Sequence, residues 1–473
     1  MLQPEGTVAL VDWDTPEYEE FMDAVRARIV ADGGLSPFYD SAKATNFCSH
    51  PVRLHGSTGR VESETGELLV GETDHLFLKA CGNRRRSRCV ACSDTYRHDA
   101  RHLVLAGLAG GKKVPESVGS HPMLFGTLTA PSFGAVHHRA RSGKGACHPS
   151  SSTARCRHGR PVACFEHHQG DDPRLGEPIC PDCYRYEEHV VFHGLLSELW
   201  RRTTIYVFRA LARELGTTPG ELAKLARLSY VKVAEYQTRG AVHLHVVLRA
   251  DGAGEGYPAP PEEVSTEALL AAFVKGSRSA YVDFPVRIDG VVKRARWGRE
   301  LDVSPIDSPA AARRASRYLS KYVTKSTESS GVLDRRIGSP RELAALKRAK
   351  VSSHHRRLVE CAVRLSKRRE LKELNLVRSA NAFGFAGHVL TKSRRYSTTF
   401  KSLRLARYEY QEALARRRAP PGDEPCGELV VDRWRYGGSG YGLPADHVIC
   451  EEFAQGAIEA RADAWYARYL EAS

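Results

Sequence analysis

The chain has 473 residues, and its 70 lysines and arginines exceed its 56 aspartates and glutamates to give a net charge of +14. With 27% charged and 42% hydrophobic residues, it has the composition of a globular protein of roughly two to four domains. No run of about 18 apolar residues and no signal-peptide pattern exists. We therefore expect a cytoplasmic protein without a membrane partner, and the positive charge favours nucleic acid as the partner.

The first cysteines in the chain have the spacing of a zinc site. In Cys89-Val-Ala-Cys92 a two-residue gap lets both sulfurs of a tight turn reach one Zn²⁺, and Cys48 and Cys81 would complete the tetrahedron. Twelve cysteines in a cytoplasmic chain are more typical of metal ligation than of disulfides. We predict an N-terminal zinc-binding domain over residues 1–115, which ends in a helix at about 95–108.

A second cysteine group follows the strand predicted for residues 124–130. Its ligands are predicted as Cys156, Cys164, Cys180 and Cys183, with Cys180-Pro-Asp-Cys183 as the turn. The possible substitutes are Cys147, His158, His167 and His168. Because residues 147–183 have too few apolar side chains to fold without a cross-link such as a bound metal ion, we predict an inserted zinc module here.

Apolar residues at helical spacing predict a helix over 186–214 that Gly216 ends. Residues 230–248 then alternate with period two around a turn, as in a β-hairpin. Alternation places His243 and His245 on one face of the second strand. If the loop consists of Thr238, Arg239 and Gly240, Glu235 lies opposite His243, whereas a two-residue turn would direct Glu235 to the other face.

Two neutral imidazoles and one carboxylate can bind a divalent ion and leave positions open for water or phosphate oxygens. Glu235, His243 and His245 are thus a candidate metal site. Its mixed nitrogen and oxygen donors favour Mg²⁺ or Mn²⁺ over the Zn²⁺ expected at the cysteine groups.

Ser308-Pro309 is a good helix start, because serine caps the helix and proline fits its first turn. The helix carries Tyr318 and Tyr322 four residues apart, so both phenols share a face. Each tyrosine is followed three residues later by a lysine, Lys321 or Lys325, which would stabilise a phenolate. Residues 116–335 form the predicted catalytic domain.

Residues 336–473 are predicted as a basic, mainly helical DNA-binding region. Its positive side chains would follow the phosphate backbone, and an interleaved aromatic ring would stack on bases. The candidate DNA-binding residues are Lys392, Arg394, Arg395, Tyr396, Lys401, Arg404 and Arg407.

The hairpin and the tyrosine helix together resemble the HUH endonuclease superfamily, which cleaves single-stranded DNA. Phe125-Gly-Thr-Leu-Thr129, Glu235 with His243-Leu-His245, and Tyr318-xxx-Tyr322-xx-Lys325 resemble the three motifs of its rolling-circle initiators, in their usual order. The glycine after Phe125 departs from the first motif. The resemblance implies an α+β fold with an antiparallel sheet flanked by helices, to which the two zinc modules and the basic C-terminal region are added.

The sequence around these motifs is most similar to that of the replication initiators of actinobacterial plasmids and integrative elements. The similar segments include His158-Gly-Arg-Pro, Ala234-Glu-Tyr-Gln-Thr-Arg-Gly and Thr391-Lys-Ser-Arg-Arg-Tyr-Ser. The resemblance implies that Tyr322 nicks one strand at a replication origin, which leaves a 5′-phosphotyrosine and a 3′-hydroxyl that primes replication. Tyr318 would act in a later strand transfer, and origin DNA and a host helicase would be the partners.

Three other interpretations remain open at this point. A two-tyrosine transposase or a relaxase would use the same chemistry in another genetic context. A non-enzymatic zinc regulator would bind duplex DNA with a merely structural His-x-His. A barrel-type metallohydrolase would need further histidines on later strands, which the chain does not offer in strand-like settings.

Overall fold

The computed structural model describes residues 15–31, 34–62, 64–140, 145–150, 154–324, 337, 339–346, 348, 351–418 and 428–471. The chain divides into two compact units, Met1–Asp99 with Arg404–Ser473 and Ala100–Leu403. This division differs from the three consecutive domains predicted above, because the first and last parts of the chain fall in one unit.

The helices and strands are numbered in chain order. The helices are α1 Pro16–Val30, α2 Leu35–Ala44, α3 Val90–Ala109, α4 Tyr186–Glu214, α5 Pro219–Leu225, α6 Thr266–Ser279, α7 Pro309–Val323, α8 Pro340–Ala345, α9 Ser353–Leu365, α10 Phe400–Arg418 and α11 Pro444–Glu471. The strands are β1 Val52–Glu62, β2 Leu68–Lys79, β3 Met123–Leu128, β4 Ala226–Tyr236, β5 Val242–Gly252, β6 Val282–Ile288, β7 Val291–Ala295, β8 Leu301–Pro305, β9 Leu390–Lys392 and β10 Glu428–Ser439.

The unit formed by the two ends of the chain contains an antiparallel sheet in the order β10-β1-β2. Helices α1, α2 and α11 pack together around a small apolar cluster that includes Ala24, Phe38 and Ile449. The pairing of β10 with β1 joins residues nearly 400 positions apart, and no local sequence pattern could have predicted it.

The larger unit is built on a five-stranded sheet in the order β8-β3-β5-β4-β9, in which every neighbouring pair is antiparallel. One face of the sheet packs against α4 and α6 and forms the main apolar core. Val242, Leu244 and Val246 of β5 are fully buried on this face, as their alternation predicted. The fold is therefore α+β with antiparallel sheets and helices, as expected.

Local sequence signals account for the helix that precedes the hairpin. Helix α4 spans Tyr186–Glu214, the predicted range, and Gly216 ends it with a φ of +63°. Thr218 then starts α5 with a capping box, in which its side chain accepts from the Glu221 N–H and the Glu221 carboxylate accepts from the Thr218 N–H. The next strand, β4, begins directly after α5.

Helix α7 lies along the opposite face of the sheet and contacts β4. It begins where predicted, because Ser308 Oγ accepts a hydrogen bond from the Ala311 N–H at 3.2 Å and Pro309 follows the cap. Leu319 and Val323 are fully buried on its inner side. Of the described helices, none is long and apolar enough to cross a membrane.

Candidate active site

The β4–β5 turn has the three-residue loop on which the predicted site depends. The Gln237 N–H donates to the Ala241 carbonyl and the Gly240 N–H donates to the Gln237 carbonyl, both at 2.8 Å. Gly240 has a φ of +77°, a conformation that glycine adopts without strain. The resulting register places Glu235 directly opposite His243, so the predicted pairing is confirmed.

Glu235 and His245 are in direct contact. Glu235 Oε2 lies 2.8 Å from His245 Nε2, and His245 Nδ1 lies 3.1 Å from Thr127 Oγ1 on the neighbouring strand β3. His245 is almost completely buried. A second partner on Nδ1 fixes the ring so that Nε2 faces the carboxylate, which is how ligand imidazoles are commonly oriented.

His243 supplies a third donor on the same face. Its Nε2 is buried and has no hydrogen-bond partner in the described part of the chain. Burial, and then the neighbouring His245, lower the pKa of His243 to about 3, so the ring is neutral at neutral pH and keeps a free lone pair. An orphaned imidazole nitrogen beside a second imidazole and a carboxylate is a donor set that fits a divalent cation.

The three donors do not yet form a compact cage. In the described part of the chain, every group of three or more ligand atoms that all lie within 4.8 Å of one another includes a cysteine. Glu235, His243 and His245 do not form such a group. The ring centroids of His243 and His245 are 6.4 Å apart. Closing the site around an ion therefore requires a shift of His243 or a rearrangement of the Glu235–His245 contact.

Both predicted tyrosines lie beside His245. The ring of Tyr322 stacks on His245 with centroids 5.2 Å apart and an angle of 26°, and Tyr318 meets the same imidazole edge-on at 5.1 Å. The two phenol rings are 4.8 Å apart, and Tyr318 also contacts Phe125 of β3. The structure thus brings together all three motif segments, on β3, on β4–β5 and on α7.

The surroundings of Tyr322 make its phenol less acidic. Burial, a hydrogen bond with Tyr318 and the Glu235 carboxylate all raise its pKa above the usual range. Lys321 Nζ lies 5.8 Å from the Tyr322 ring centroid, and its side chain is exposed. The other predicted lysine, Lys325, lies outside the described residues.

Helix α7 also presents a basic outer face that the sequence reasoning did not include in the site. Arg313, Arg314 and Arg317 are exposed on the helix that carries both tyrosines. The signal was visible in the sequence, because Arg313 and Arg314 precede Arg317 by four and three residues, a spacing that aligns side chains on one helix face.

The predicted N-terminal zinc ligands form one cluster. The ligand atoms of Cys48, Cys81, Cys89 and Cys92 all lie within 4.8 Å of one another, and the Cys48 and Cys89 sulfurs are 3.8 Å apart. Tetrahedral zinc with bonds of about 2.3 Å would separate two sulfurs by roughly 3.8 Å. Backbone N–H groups of Cys81 and Cys92 donate to the Cys48 and Cys89 sulfurs, which favours thiolates. This cluster could hold a metal such as zinc.

In the second predicted ligand set, His158, one of the possible substitutes, takes the place of Cys164. Cys156, Cys180 and Cys183 cluster with His158, whose Nδ1 lies 3.6 Å from the Cys180 sulfur and 3.3 Å from the Cys183 sulfur. Cys164 is not part of this cluster. It lies in a separate group with His137, Cys147 and His168, because the short backbone bridge between His148 and Cys164 directs it there.

Comparison with known proteins identifies the family. Residues 35–455 match the family described as the replication initiator protein of pSAM2, RepSA. The chain belongs to this family of replication initiators. It is also 37% identical, over 444 residues, to a curated replication initiator protein of Streptomyces ambofaciens, which covers 90% of this chain and 92% of that protein. No solved structure matches the chain.

One departure of this initiator from the first motif has a physical reason. A Cβ at Gly126 would lie 2.6 Å from the ring of Phe273 on α6, so a larger residue does not fit. Gly126 thus lets α6 approach the sheet on the face away from the site. The adjacent Phe125 and Thr127 face the tyrosines and His245.

The predicted DNA-binding residues of this initiator are not equivalent in the structure. Tyr396 cannot stack on bases, because it is fully buried and its hydroxyl donates to the Val104 carbonyl at 3.0 Å. The Lys392 ammonium donates to the carbonyls of Ser393, Arg394 and Ser397, so it braces its own loop. The remaining side chains are exposed, although Arg395 also donates to the Gly254 carbonyl and Arg407 to Asp99. These are Arg394, Arg395, Lys401, Arg404 and Arg407.

Proposed function

We propose that this chain initiates rolling-circle replication by nicking one DNA strand at its origin with a tyrosine nucleophile. The proposal rests chiefly on one observation. In a member of a replication initiator family, the ring of Tyr322 stacks on His245 next to Glu235 and the orphaned Nε2 of His243.

Glu235, His243 and His245 would hold Mg²⁺ or Mn²⁺. When bound, the ion would polarise the scissile phosphate and offset charge in the transition state. The neutral imidazole of His243 can serve as a ligand at neutral pH without first losing a proton. Thr127 would keep His245 oriented by its contact with Nδ1.

Tyr322 would attack phosphorus in line. A bond forms between its phenolic oxygen and phosphorus, the bond from phosphorus to the upstream O3′ breaks, and O3′ leaves as a hydroxyl that can prime synthesis. The phenol must lose its proton, which burial and the Glu235 carboxylate oppose in this structure. Neutralising that carboxylate, together with Lys321 on the same helix, would favour the phenolate.

Tyr318 is suited to a second transfer. It is 41% exposed, so an incoming strand can reach it, and its ring is only 4.8 Å from that of Tyr322. A 3′-hydroxyl or the second phenol can then accept the phosphoryl group without ATP, because the phosphotyrosine keeps the energy of the original diester bond.

Binding to the origin would combine the basic face of α7 with the exposed side chains of the C-terminal stretch. Arg313, Arg314 and Arg317 lie beside the tyrosines, where phosphates flanking the scissile bond would pass. Arg394, Arg395, Lys401, Arg404 and Arg407 would add contacts to the backbone. We further propose Zn²⁺ as a structural ion in the cysteine clusters, and a host helicase as the partner that unwinds the nicked DNA.

The experiment is a covalent-adduct assay. Wild type and the variants Tyr318→Phe and Tyr322→Phe are incubated with Mn²⁺ and single-stranded oligonucleotides that tile the DNA next to the coding sequence, and the products are run on a denaturing gel. We expect an adduct with wild type, its loss in Tyr322→Phe, and its persistence in Tyr318→Phe. Thr324→Ala, at the C-cap of the same helix, serves as the matched control.

Two outcomes would count against the assignment. An adduct that survives in Tyr322→Phe but not in Tyr318→Phe would exchange the roles of the tyrosines. No adduct with any oligonucleotide, from protein that still binds DNA, would favour a regulator without nicking activity.

A further inference from the structure

Residues 135–183 contain a second group of metal-type ligands that shares no member with the Cys156 cluster. The ligand atoms of His137, Cys147, Cys164 and His168 all lie within 4.8 Å of one another, and the last three residues are buried. His137 Nδ1 is 3.0 Å from His168 Nε2, the Cys164 sulfur is 3.6 Å from His168 Nε2, and the Cys147 sulfur is 3.9 Å from His137 Nδ1. Ligands around a tetrahedral zinc lie roughly 3.3–3.8 Å apart.

We propose that these four residues form a third zinc site, so that the segment holds two ions and the whole chain three. The site has two sulfur and two nitrogen ligands, a combination typical of structural zinc. It is also complete without water, because four protein donors fill a tetrahedron.

The groups around the ligands support this assignment. His168 Nδ1 lies 2.7 Å from Asp172 Oδ2, and Arg174 donates to both oxygens of the same carboxylate. A carboxylate on the second nitrogen of an imidazole is the usual support of a zinc-bound histidine. The backbone N–H of His138 donates to the Cys147 sulfur at 3.3 Å, which helps to hold the sulfur in position.

The burial pattern of the segment points the same way. Val162 is 41% and Phe165 is 62% exposed, while the neighbouring Cys164 and His168 are buried. Among the described residues of the segment, these two apolar side chains face solvent while sulfur and imidazole are buried, so apolar burial contributes little to its stability here. A bound ion would supply the missing stabilisation, since the binding energy of a structural zinc contributes directly to folding.

A second arrangement competes for one ligand. His138, Cys147 and His148 also lie within 4.8 Å of one another. This set has only three donors, and His148 Nε2 is already 3.0 Å from the Val136 carbonyl. The four-donor set is therefore the better site, and the two sets are distinguished by the variants below.

The proposed third site is connected to the β4–β5 turn through the backbone of Gly176 and Glu177. The ligand His137 exchanges backbone hydrogen bonds with its neighbours across the bridge, because its N–H donates to the Glu177 carbonyl and its carbonyl accepts from the Gly176 N–H. A Cβ at Gly176 would lie 2.5 Å from the Thr238 carbonyl oxygen, so the backbone at Gly176 packs closely against the β4–β5 turn. The Glu177 carboxylate also accepts from Ser353 Oγ and from the His354 N–H. The ion would thereby hold the turn that aligns Glu235 with His243, a consequence for nicking that rests on the proposed function.

The test measures metal in the purified full-length protein by mass spectrometry, independently of activity. We expect three zinc ions per chain in wild type and two in Cys164→Ser, in Cys156→Ser and in Cys48→Ser. The double variant Cys156→Ser/Cys164→Ser should retain one. Two zinc ions in wild type with no loss in Cys164→Ser would overturn the proposal.

Histidine variants and X-ray absorption complete the test. We expect His137→Ala and His168→Ala to lose one ion and the matched controls His138→Ala and His148→Ala to lose none; the reverse would move the site to the competing set. Zinc absorption spectra of wild type should show three sulfur ligands for every nitrogen, against seven to one for the first two clusters alone. This readout needs no variant, so misfolding of a mutant cannot obscure it, and the adduct assay tests nicking separately.

Discussion

The β4–β5 hairpin and residues 135–183 are neighbours in one unit, yet their side chains are buried in opposite patterns. The hairpin buries Val242, Leu244 and Val246 completely on one face and places His243 and His245 on the other. The segment exposes Val162 and Phe165 and buries Cys164 and His168. Apolar burial therefore orders the first region, and ligand clusters must order the second.

This difference between the two regions matters for the geometry of the candidate site. The hairpin needs a fixed register, because a shift by one residue would turn Glu235 away from His243. Hydrophobic alternation sets that register along the strands, but it says little about the turn itself. The segment contributes there, since Gly176 touches the Thr238 carbonyl.

Removing zinc should have the largest effect on the contrast between the two regions. We expect a zinc-selective chelator, with Mg²⁺ present, to abolish hydrogen-exchange protection over residues 135–183 and to leave it in the buried middle of β5. The reason is that metal binding supplies most of the folding energy of such segments, on the order of 10 kcal/mol per site. Hydrogen exchange with mass spectrometry measures this. Equal loss in both regions, or none in either, would contradict the contrast.

A smaller effect is expected when the contact between the two regions is disturbed. Gly176→Ala combines a φ of +85° with a Cβ 2.5 Å from the Thr238 oxygen, and we expect it to lower the free energy of unfolding by about 2–4 kcal/mol. Gly159→Ala is the matched control, because its φ of +74° is similar but a Cβ there would contact nothing within 4 Å. It should cost about 1 kcal/mol.

Urea denaturation in the presence of zinc compares the two glycine variants. Equal losses would show that backbone strain alone matters and that the segment does not press on the turn.

The smallest effect concerns histidines that hold the turn without any metal. His354 Nε2 lies 3.0 Å from the Arg239 carbonyl, and burial, followed by the charge of His355, lowers the pKa of His354 to about 4. An unfolded histidine titrates near 6.5, so between pH 6.5 and 4 the unfolded chain binds more protons and stability falls as the pH falls. At pH 5 this single group should account for about 1–2 kcal/mol relative to pH 7.

The measurement compares His354→Asn with His388→Asn, whose histidine is exposed. Unfolding free energies are determined from pH 7 to pH 5 for both variants, so that any acid-induced loss of zinc affects them equally. We expect a flatter pH dependence in His354→Asn. Parallel curves would show that His354 does not carry a depressed pKa.

Local patterns predicted a large part of the candidate site. Helix α4, the cap of α7 and the register of the hairpin all follow from capping residues, periodicity and the three-residue turn, which act over a few positions. The family resemblance of the initiator was confirmed by the comparisons. The roles of Tyr322, Tyr318 and the metal ligands stay predictions.

Long-range packing decided what local patterns could not. Tyr396 looked like a stacking platform, yet the sheet and α3 enclose it in the core. Cys164 has the spacing of a partner for Cys180, but the backbone bridge to His148 assigns it to another group. Spacing shows only which candidate ligands are near one another in sequence. Several cysteines and histidines have a spacing that is compatible with the same zinc site.

By itself the sequence determined α4, the start of α7 and the β4–β5 hairpin, because side-chain periodicity and caps depend on residues within a turn or a strand pair. It also determined the chemical types available for metal binding. Only the tertiary structure decided which β-strands pair across nearly 400 residues, which cysteine joins which histidine, and that the phenols lie against His245. Those choices depend on the energy of packing distant segments together, which no local pattern contains.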